Sequence, residues 1–278
     1  MTSGRTTEAL REHTRAAGRF PVWLYVPAAI GALTLLLPLA ALLLRLDGPG
    51  VIASVTSPAA LQALGLSIST ASVATVVCLV LGVPLAFVIA RSDPRLAAVL
   101  RTLTTLPLVL PPLVGGIALL SLLGRTGLFG EALGLVGIRI PFTTAAVVIA
   151  QVFVAMPFLV VSVEGALRTA GTSYEGVAAG LGAGRFTVFR RITLPLVAPG
   201  LVSGAVLCFA RALGEFGATA LFAGNAAGTT RTMPLAIYTA FNGAGVSEDT
   251  AIALSLMLIV VAVGVLVLMR GWRADAAR

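Results

Sequence analysis

The sequence predicts an all-α integral membrane protein with six transmembrane helices, and three observations lead there. First, 58% of its 278 residues are hydrophobic and 11% are charged, with a mean hydropathy of +1.03. An ordinary soluble domain of this size carries far more charge. Second, charge-free runs occupy residues 22–44, 64–90, 102–124, 140–163, 192–210 and 250–269, each close to the ~20 residues that a spanning helix needs. Third, the apolar residues of these runs occupy every helical face instead of alternating with period two, which excludes a transmembrane barrel.

Residues 1–19 form a polar tail with Arg5, Arg11, Arg15 and Arg19. With few apolar side chains to bury, it is expected to be disordered or to lie on the membrane surface. The apolar run after it exceeds the about 7–15 residues of a signal-peptide core and lacks a small-residue cleavage site, so it reads as an uncleaved first span. In the second span, Ser67, Ser69, Thr70, Ser72 and Thr75 permit close helix packing or line a polar path. The third carries Pro107, Pro111, Pro112, Gly115 and Gly116; a helix broken there frees backbone carbonyls that need protein or cavity water. Such a break either shapes a pathway or is a packing kink. A fourth span leads into a polar loop at 164–191. The longest stretch between spans, 211–249, is too short for a separate soluble domain, and a tail at 271–278 follows the sixth span.

Arginine placement orients the chain, because basic residues near span ends are retained on the cytoplasmic side. Fourteen of the nineteen arginines fall on one side: the four of the N-terminal tail, Arg91, Arg95 and Arg101 after the second span, Arg168, Arg185, Arg190 and Arg191 after the fourth, and Arg270, Arg273 and Arg278 after the sixth. Both termini and the 164–191 loop are therefore expected in the cytoplasm, and the net charge of +8 records topology, not affinity for nucleic acid. The chain has no lysine, which excludes a phosphate-cradling P-loop and a Schiff-base lysine. Any ATP hydrolysis has to come from another subunit. The single histidine, His13, lies in the tail, leaving a serine or zinc hydrolase without its parts. Cys78 and Cys208 fall inside spans and read as small packing residues.

The 164–191 loop carries the most informative local pattern. Residues 174–181 form a short helix with small side chains at Ala178 and Ala179, interrupted by Gly180, Gly182 and Gly184 and resumed through Phe186 to Arg191. Pro195 suits the first turn of a re-entering helix. Gly182, nine residues, Ile192, one residue, then Leu194-Pro195 resembles the EAA loop of ABC importer permeases, with Glu175 standing seven residues before Gly182 where six is common. The resemblance implies a type I ABC importer permease fold. It also implies that Glu175, Ala178, Ala179, Gly182, Ile192, Leu194 and Pro195 belong to a coupling helix docked on an ATPase subunit.

Beyond the fifth span, Arg211 and Glu215 are four residues apart and share one helical face. An ionisable pair at membrane depth costs about 2.5–3.5 kcal/mol per charge on insertion scales and usually faces a bundle interior or a watery cavity. Gate element and interfacial ion pair are the two readings. The run ARALGEFGAT from Ala210, then Ala223-Gly224-Asn225, then Thr230 through Tyr238 resembles the molybdate permeases, with sulfate and tungstate permeases as close relatives. That likeness covers nearly the whole chain from the first span on. It implies a subunit of an ATP-driven oxyanion importer working by alternating access, with Arg211, Gly214, Glu215, Phe216, Gly217, Thr219 and Arg231 as pore or gate candidates. It further implies a second copy of this chain, two cytoplasmic ATPase subunits that bind ATP and Mg, and an extracytoplasmic binding protein that delivers the anion, with no cofactor on this chain. A passive anion channel or secondary transporter would also use six spans, yet would give no reason for the loop ending in Ile192-Thr193-Leu194-Pro195. Abundant Arg, Ala, Gly and Val without lysine suggests a GC-rich genome, and with it a bacterial inner membrane.

Overall fold

The computed structural model describes residues 21–45, 48–243 and 248–276, and the expectation for the tail at 1–19 lies outside them. Among the described residues every regular element is helical. Two compact units, Met1–Leu46 and Asp47–Arg278, divide the chain.

The first unit is one helix, α1 (Tyr25–Leu44), entered through a 3-10 turn at Val22–Leu24. No residue of α1 is buried, and the Thr34 hydroxyl donates to Ile30 O at 2.9 Å. A helix apolar on all faces with its polar group satisfied locally suits lipid contact.

The second unit contains α2 (Gly48–Val55), α3 (Pro58–Arg91), α4 (Pro94–Val109), α5 (Pro112–Leu123), α6 (Gly130–Leu135), α7 (Thr144–Ala170), α8 (Ser173–Gly180), α9 (Arg185–Val188), α10 (Leu194–Leu213), α11 (Gly217–Phe222), α12 (Met233–Asn242) and α13 (Glu248–Ala276). Local chemistry explains several starts. Ser57 accepts the Ala60 N–H at 3.2 Å, Asp93 those of Arg95 and Leu96 at 3.1 and 3.2 Å, and Thr143 that of Ala146 at 3.3 Å. Pro58 and Pro94 each follow such a cap, where a missing N–H costs nothing.

Helix α7 is central, with α3 and α10 packed along it. The buried stripe of α3 is made of small residues at three- and four-residue spacing, among them Ala63, Ser67, Ala71, Ala74, Cys78, Gly82 and Ala86. A Cβ on Gly82 would come within 3.3 Å of Leu159 and Val160. On the other side, a Cβ on Gly200 would lie 2.4 Å from that of Ala166, and Ser162 Oγ donates to Gly200 O at 2.9 Å. Side-chain absence sets the helix separation, as expected where lipid supplies no hydrophobic drive. The hydroxyls of α3 serve packing and local satisfaction: Ser69, Thr70, Ser72 and Thr75 bond carbonyls of their own helix, and buried Ser67 accepts the first N–H of α12, from Met233, at 2.6 Å. Cys78 and Cys208 are free and buried in the same core.

Three boundaries differ from the sequence reading. The third span, expected as one run at 102–124, is a helix pair, Pro94–Val109 and Pro112–Leu123, bent by 114°. Pro111 and Pro112 withhold two N–H groups and force Leu110 into an extended conformation, so the helix stops and restarts. The loop expected at 164–191 is shorter, because α7 runs to Ala170 and ends at Gly171 with φ +64°. Lastly, Pro195 falls in the first turn of α10, but that helix is continuous with the segment before it. Arg185–Leu213 is one 29-residue helix, interrupted by a π turn at Phe189–Thr193 in which the Leu194 N–H reaches Phe189 O. The π turn lets the chain pass Pro195, which has no N–H to continue the ladder.

Four helices are long and apolar enough to cross a membrane, Tyr25–Leu44, Pro58–Arg91, Thr144–Ala170 and Arg185–Leu213; the bent pair makes a fifth crossing if counted as one span. Asp249–Val265 is a shorter apolar helix at the place where the sixth was expected, inside α13, which continues to Ala276.

Candidate functional site

The loop between α7 and α9 is organised around Glu175. Its Oε1 lies 2.6 Å from Arg91 Nη2 at the end of α3 and accepts the Thr193 hydroxyl at 2.7 Å. One carboxylate thus joins α3, α8 and the π turn that opens into α10. Its side chain is 21% exposed, so it points mainly into the protein and not toward a docking partner. The end of α8 has a defined geometry as well. The Gly182 N–H bonds Ala179 O and the Ala183 N–H bonds Ala178 O, both at 3.0 Å, and Gly182 has φ +84°. This is a Schellman cap with glycine at its left-handed position. A Cβ on Gly182 would meet nothing within 4 Å; backbone conformation is what requires glycine here.

Around this frame the surface is apolar. Tyr174, Val177, Leu181 and Phe186 are 65%, 66%, 84% and 73% exposed, Ala179 is exposed and Ala178 half-buried. Phe189, 40% exposed, packs against Phe87, with ring centroids 5.6 Å apart. Ile192, in the π turn, and Leu194 are half-buried and Pro195 is exposed, so these three lie where the continuous helix enters α10, apart from the exposed apolar residues of α8.

A second charged cluster sits beside the loop. Glu164, on α7, is 6% exposed and accepts Arg101 Nε at 3.0 Å through Oε1 and at 3.2 Å through Oε2, with Arg101 Nη2 also on Oε1. Arg168, one turn further along α7, has Nη1 3.6 Å from Glu164 Oε1. Arg101, one of the arginines expected on the cytoplasmic side after the second span, lies in the middle of α4, forked onto a buried carboxylate. Sequence reasoning missed Arg91, Arg101, Glu164 and Thr193 as functional residues. The available signal was Glu164 and Arg168 at four-residue spacing in a chain with so few acids.

The break in the third span meets the Arg211–Glu215 segment. Arg211 Nη1 is 2.7 Å from Glu215 Oε2, and Glu215 Oε1 accepts the Ala218 N–H at 2.8 Å, capping α11 with a carboxylate 1% exposed. A Cβ on Gly217 would sit 2.7 Å from Pro112 Cβ, and one on Gly116 2.9 Å from Leu221 Cβ and 3.0 Å from Ala218 O. Glycines on both helices therefore bring α5 and α11 into backbone contact at the double proline. Phe216 packs on Tyr238 with centroids 5.0 Å apart, Thr219 is fully buried, and Gly214 ends α10 with an ordinary φ of −87° that does not demand glycine. Arg231 stands apart from this group. Its Nε donates to Asn225 Oδ1 at 2.9 Å and its Nη2 to Asn225 O at 3.2 Å, while Asn225 Nδ2 donates to Thr239, so it organises the 223–232 loop.

This architecture and sequence have recognisable relatives. Residues 82–272 match the family described as binding-protein-dependent transport system inner membrane component. The molybdenum transport system permease protein of Mycobacterium tuberculosis is 56% identical over 242 residues, covering 87% of this chain and 90% of its own. That of Escherichia coli K12 is 40% identical over 218 residues, covering 78% and 94%. Among solved structures, a bacterial ABC transporter importing the acidic polysaccharide alginate superposes with a TM-score of 0.71 at 16% identity over 99% of this chain and 100% of that one. An inward-facing methionine ABC transporter gives 0.62 at 16% identity over 78% and 96%. At that identity the likeness speaks for the fold, which is that of the ABC importer permeases. By the family match across most of its length and by these relatives, the chain belongs to the binding-protein-dependent transport system inner membrane components, the multi-pass permease subunits of ABC importers.

Proposed function

We propose that this chain is the permease subunit of an ATP-driven importer of molybdate in a bacterial inner membrane. The 56% identity to a molybdenum transport permease over 87% of the chain carries the reading. Its partners are a second copy of itself, two cytoplasmic ATPase subunits that bind ATP and Mg, an extracytoplasmic molybdate-binding protein, and the surrounding lipid. Both termini lie in the cytoplasm, and the spans number six, with α13 supplying the last.

The exposed apolar face of α8 and α9 suits a groove on an ATPase subunit, and Arg185, Arg190 and Arg191 beside it suit acidic neighbours on that subunit. When ATP closes the ATPase pair, α8 is displaced. Glu175 passes the displacement to α3 through Arg91 and to α10 through Thr193, without requiring α8 itself to touch the pathway. A rigid connector of this kind is what alternation between inward-open and outward-open states requires. The Arg211–Glu215–Ala218 unit, in backbone contact with the broken span, is the gate element.

Uptake of labelled molybdate into vesicles holding this chain, its ATPase and its binding protein tests the reading. Dependence on ATP, with competition by tungstate and none by sulfate, is the expected result. Competition by sulfate would reassign the substrate, and uptake without ATP would make the chain a channel or secondary transporter. A second test is Gly182→Trp, which adds bulk to the docking face and forces a left-handed backbone that costs an L-residue about 1–2 kcal/mol. Stimulation of ATP hydrolysis by loaded binding protein is expected to vanish while the subunits still co-purify; unchanged transport would remove the loop from coupling.

A further inference from the structure

Resting on that transport reading, we propose that Glu164 is a positioning residue of the transport cycle: its carboxylate exchanges Arg101 for Arg168 when the broken span formed by α4 and α5 moves.

One carboxylate, 6% exposed, faces two guanidinium groups, 38% and 64% exposed, that come from different helices and hold it differently. Arg101 comes from another helix and grips both oxygens. Arg168 belongs to the same helix as Glu164, is 64% exposed and waits at 3.6 Å, beyond normal hydrogen-bond length. Stability alone gives weak reason for such a group, because well-packed apolar residues commonly replace a buried ion pair without loss, and the best-attested use of one is to set a register or a switch. Breaking a buried pair outright would strand the carboxylate. Here stranding is avoidable: if α4 withdraws Arg101, Arg168 has to close its 3.6 Å separation by less than about 1 Å, along its own helix face, to take the charge.

Location gives this exchange a mechanical meaning. The corner from α3 to α4 carries two clips on opposite sides of Ser92 and Asp93. Arg91 binds Glu175 on the α8 loop, and Arg101 binds Glu164 on the central helix α7. Beyond Arg101, α4 leads through the 114° break to α5, whose Gly116 lies against Ala218 of the Glu215-capped helix. Displacement of the loop therefore reaches α4 at its start, while Glu164 decides whether α4 stays fixed to α7 or turns. A two-state element that both ends can bias is what energetic coupling needs. The groups facing the carboxylate differ in helix of origin, so a change in their pairing is a change in the position of α4.

The test uses the reconstituted complex of permease, ATPase and binding protein. Arg168→Gln is the informative variant, because a largely solvent-exposed pair four residues apart contributes little to stability. A static role for the cluster leaves it silent. Exchange predicts that molybdate taken up per ATP hydrolysed falls about tenfold or more with co-purification of the ATPase unchanged, and that Arg168→Lys restores most of it. Spin labels at Thr102→Cys on α4 and Thr169→Cys on α7, in a Cys78→Ala, Cys208→Ala background, give a second readout. ATP binding is expected to change their separation in the parent, and Arg168→Gln is expected to hold it at the ATP-free value. Coupling equal to the parent in Arg168→Gln, a loss that tracks loss of assembled complex, or a label separation that responds normally to ATP would each overturn the proposal. The parent supplies the control for the transport reading itself: absence of ATP-driven uptake there refutes that reading, whereas normal uptake in both parent and variant refutes only the exchange.

Discussion

Replacing Glu215 with alanine is expected to destabilise the membrane domain by about 3–5 kcal/mol, the cost of breaking a buried ion pair by removing one partner. The carboxylate is 1% exposed and has two separate tasks, pairing with Arg211 at 2.7 Å and accepting the Ala218 N–H at 2.8 Å. Alanine ends both, leaving a guanidinium only 26% exposed without its counter-ion and an uncapped N-terminus at the helix that touches Pro112. Glu215→Gln preserves an oxygen for Ala218 and is expected to lose less, so the pair of variants separates the cap from the charge. Thermal unfolding of the purified complex in detergent, followed by loss of subunit association, measures the effect. A melting curve for Glu215→Ala superimposable on that of the parent would contradict it.

Glu175→Ala is expected to act on coupling more than on stability. The side chain is 21% exposed and its partner Arg91 35%, so water recovers much of what the pair loses. What water cannot replace is the connection of α8 to two other helices through a single carboxylate oxygen. Molybdate uptake per ATP hydrolysed is expected to fall about 5- to 150-fold, the span of a coupling free energy of 1–3 kcal/mol. Arg91→Ala should fall in the same range and Thr193→Val less, with the double variants non-additive because the three groups act as one unit. Tight coupling retained in Glu175→Ala, measured with the complex intact, would show that force passes through the backbone of the loop instead.

These two residues illustrate different degrees of legibility. Arg211 and Glu215 were readable as a pair because four-residue spacing on a helix places side chains together whatever surrounds them. Glu175 was readable as part of the loop but not as its connector, since Arg91 is 84 positions away and only folding brings it near. The pairing of Arg101 with Glu164, across 63 positions, was invisible for the same reason. Ser67 shows a choice left open by sequence: between close packing and a polar path, the fold takes packing and uses the hydroxyl to receive the Met233 N–H.

By itself the sequence determined that the chain is helical and lies in a membrane, where proline interrupts the third span and where the arginine-bearing loop falls, and that no ATP site of the P-loop kind is present. Each follows from composition, from local periodicity or from backbone restrictions at proline and glycine, which act within a few residues. Only tertiary structure decided the 114° bend at Pro111 and Pro112, the π turn that carries a continuous helix past Pro195 and the contact of α5 with α11. It also decided which few charges of a charge-poor chain meet. The physical reason is that an ion pair or a glycine contact depends on distances between helices, and in lipid those distances are set by side-chain volume at every crossing, a property of pairs of helices and not of any one of them.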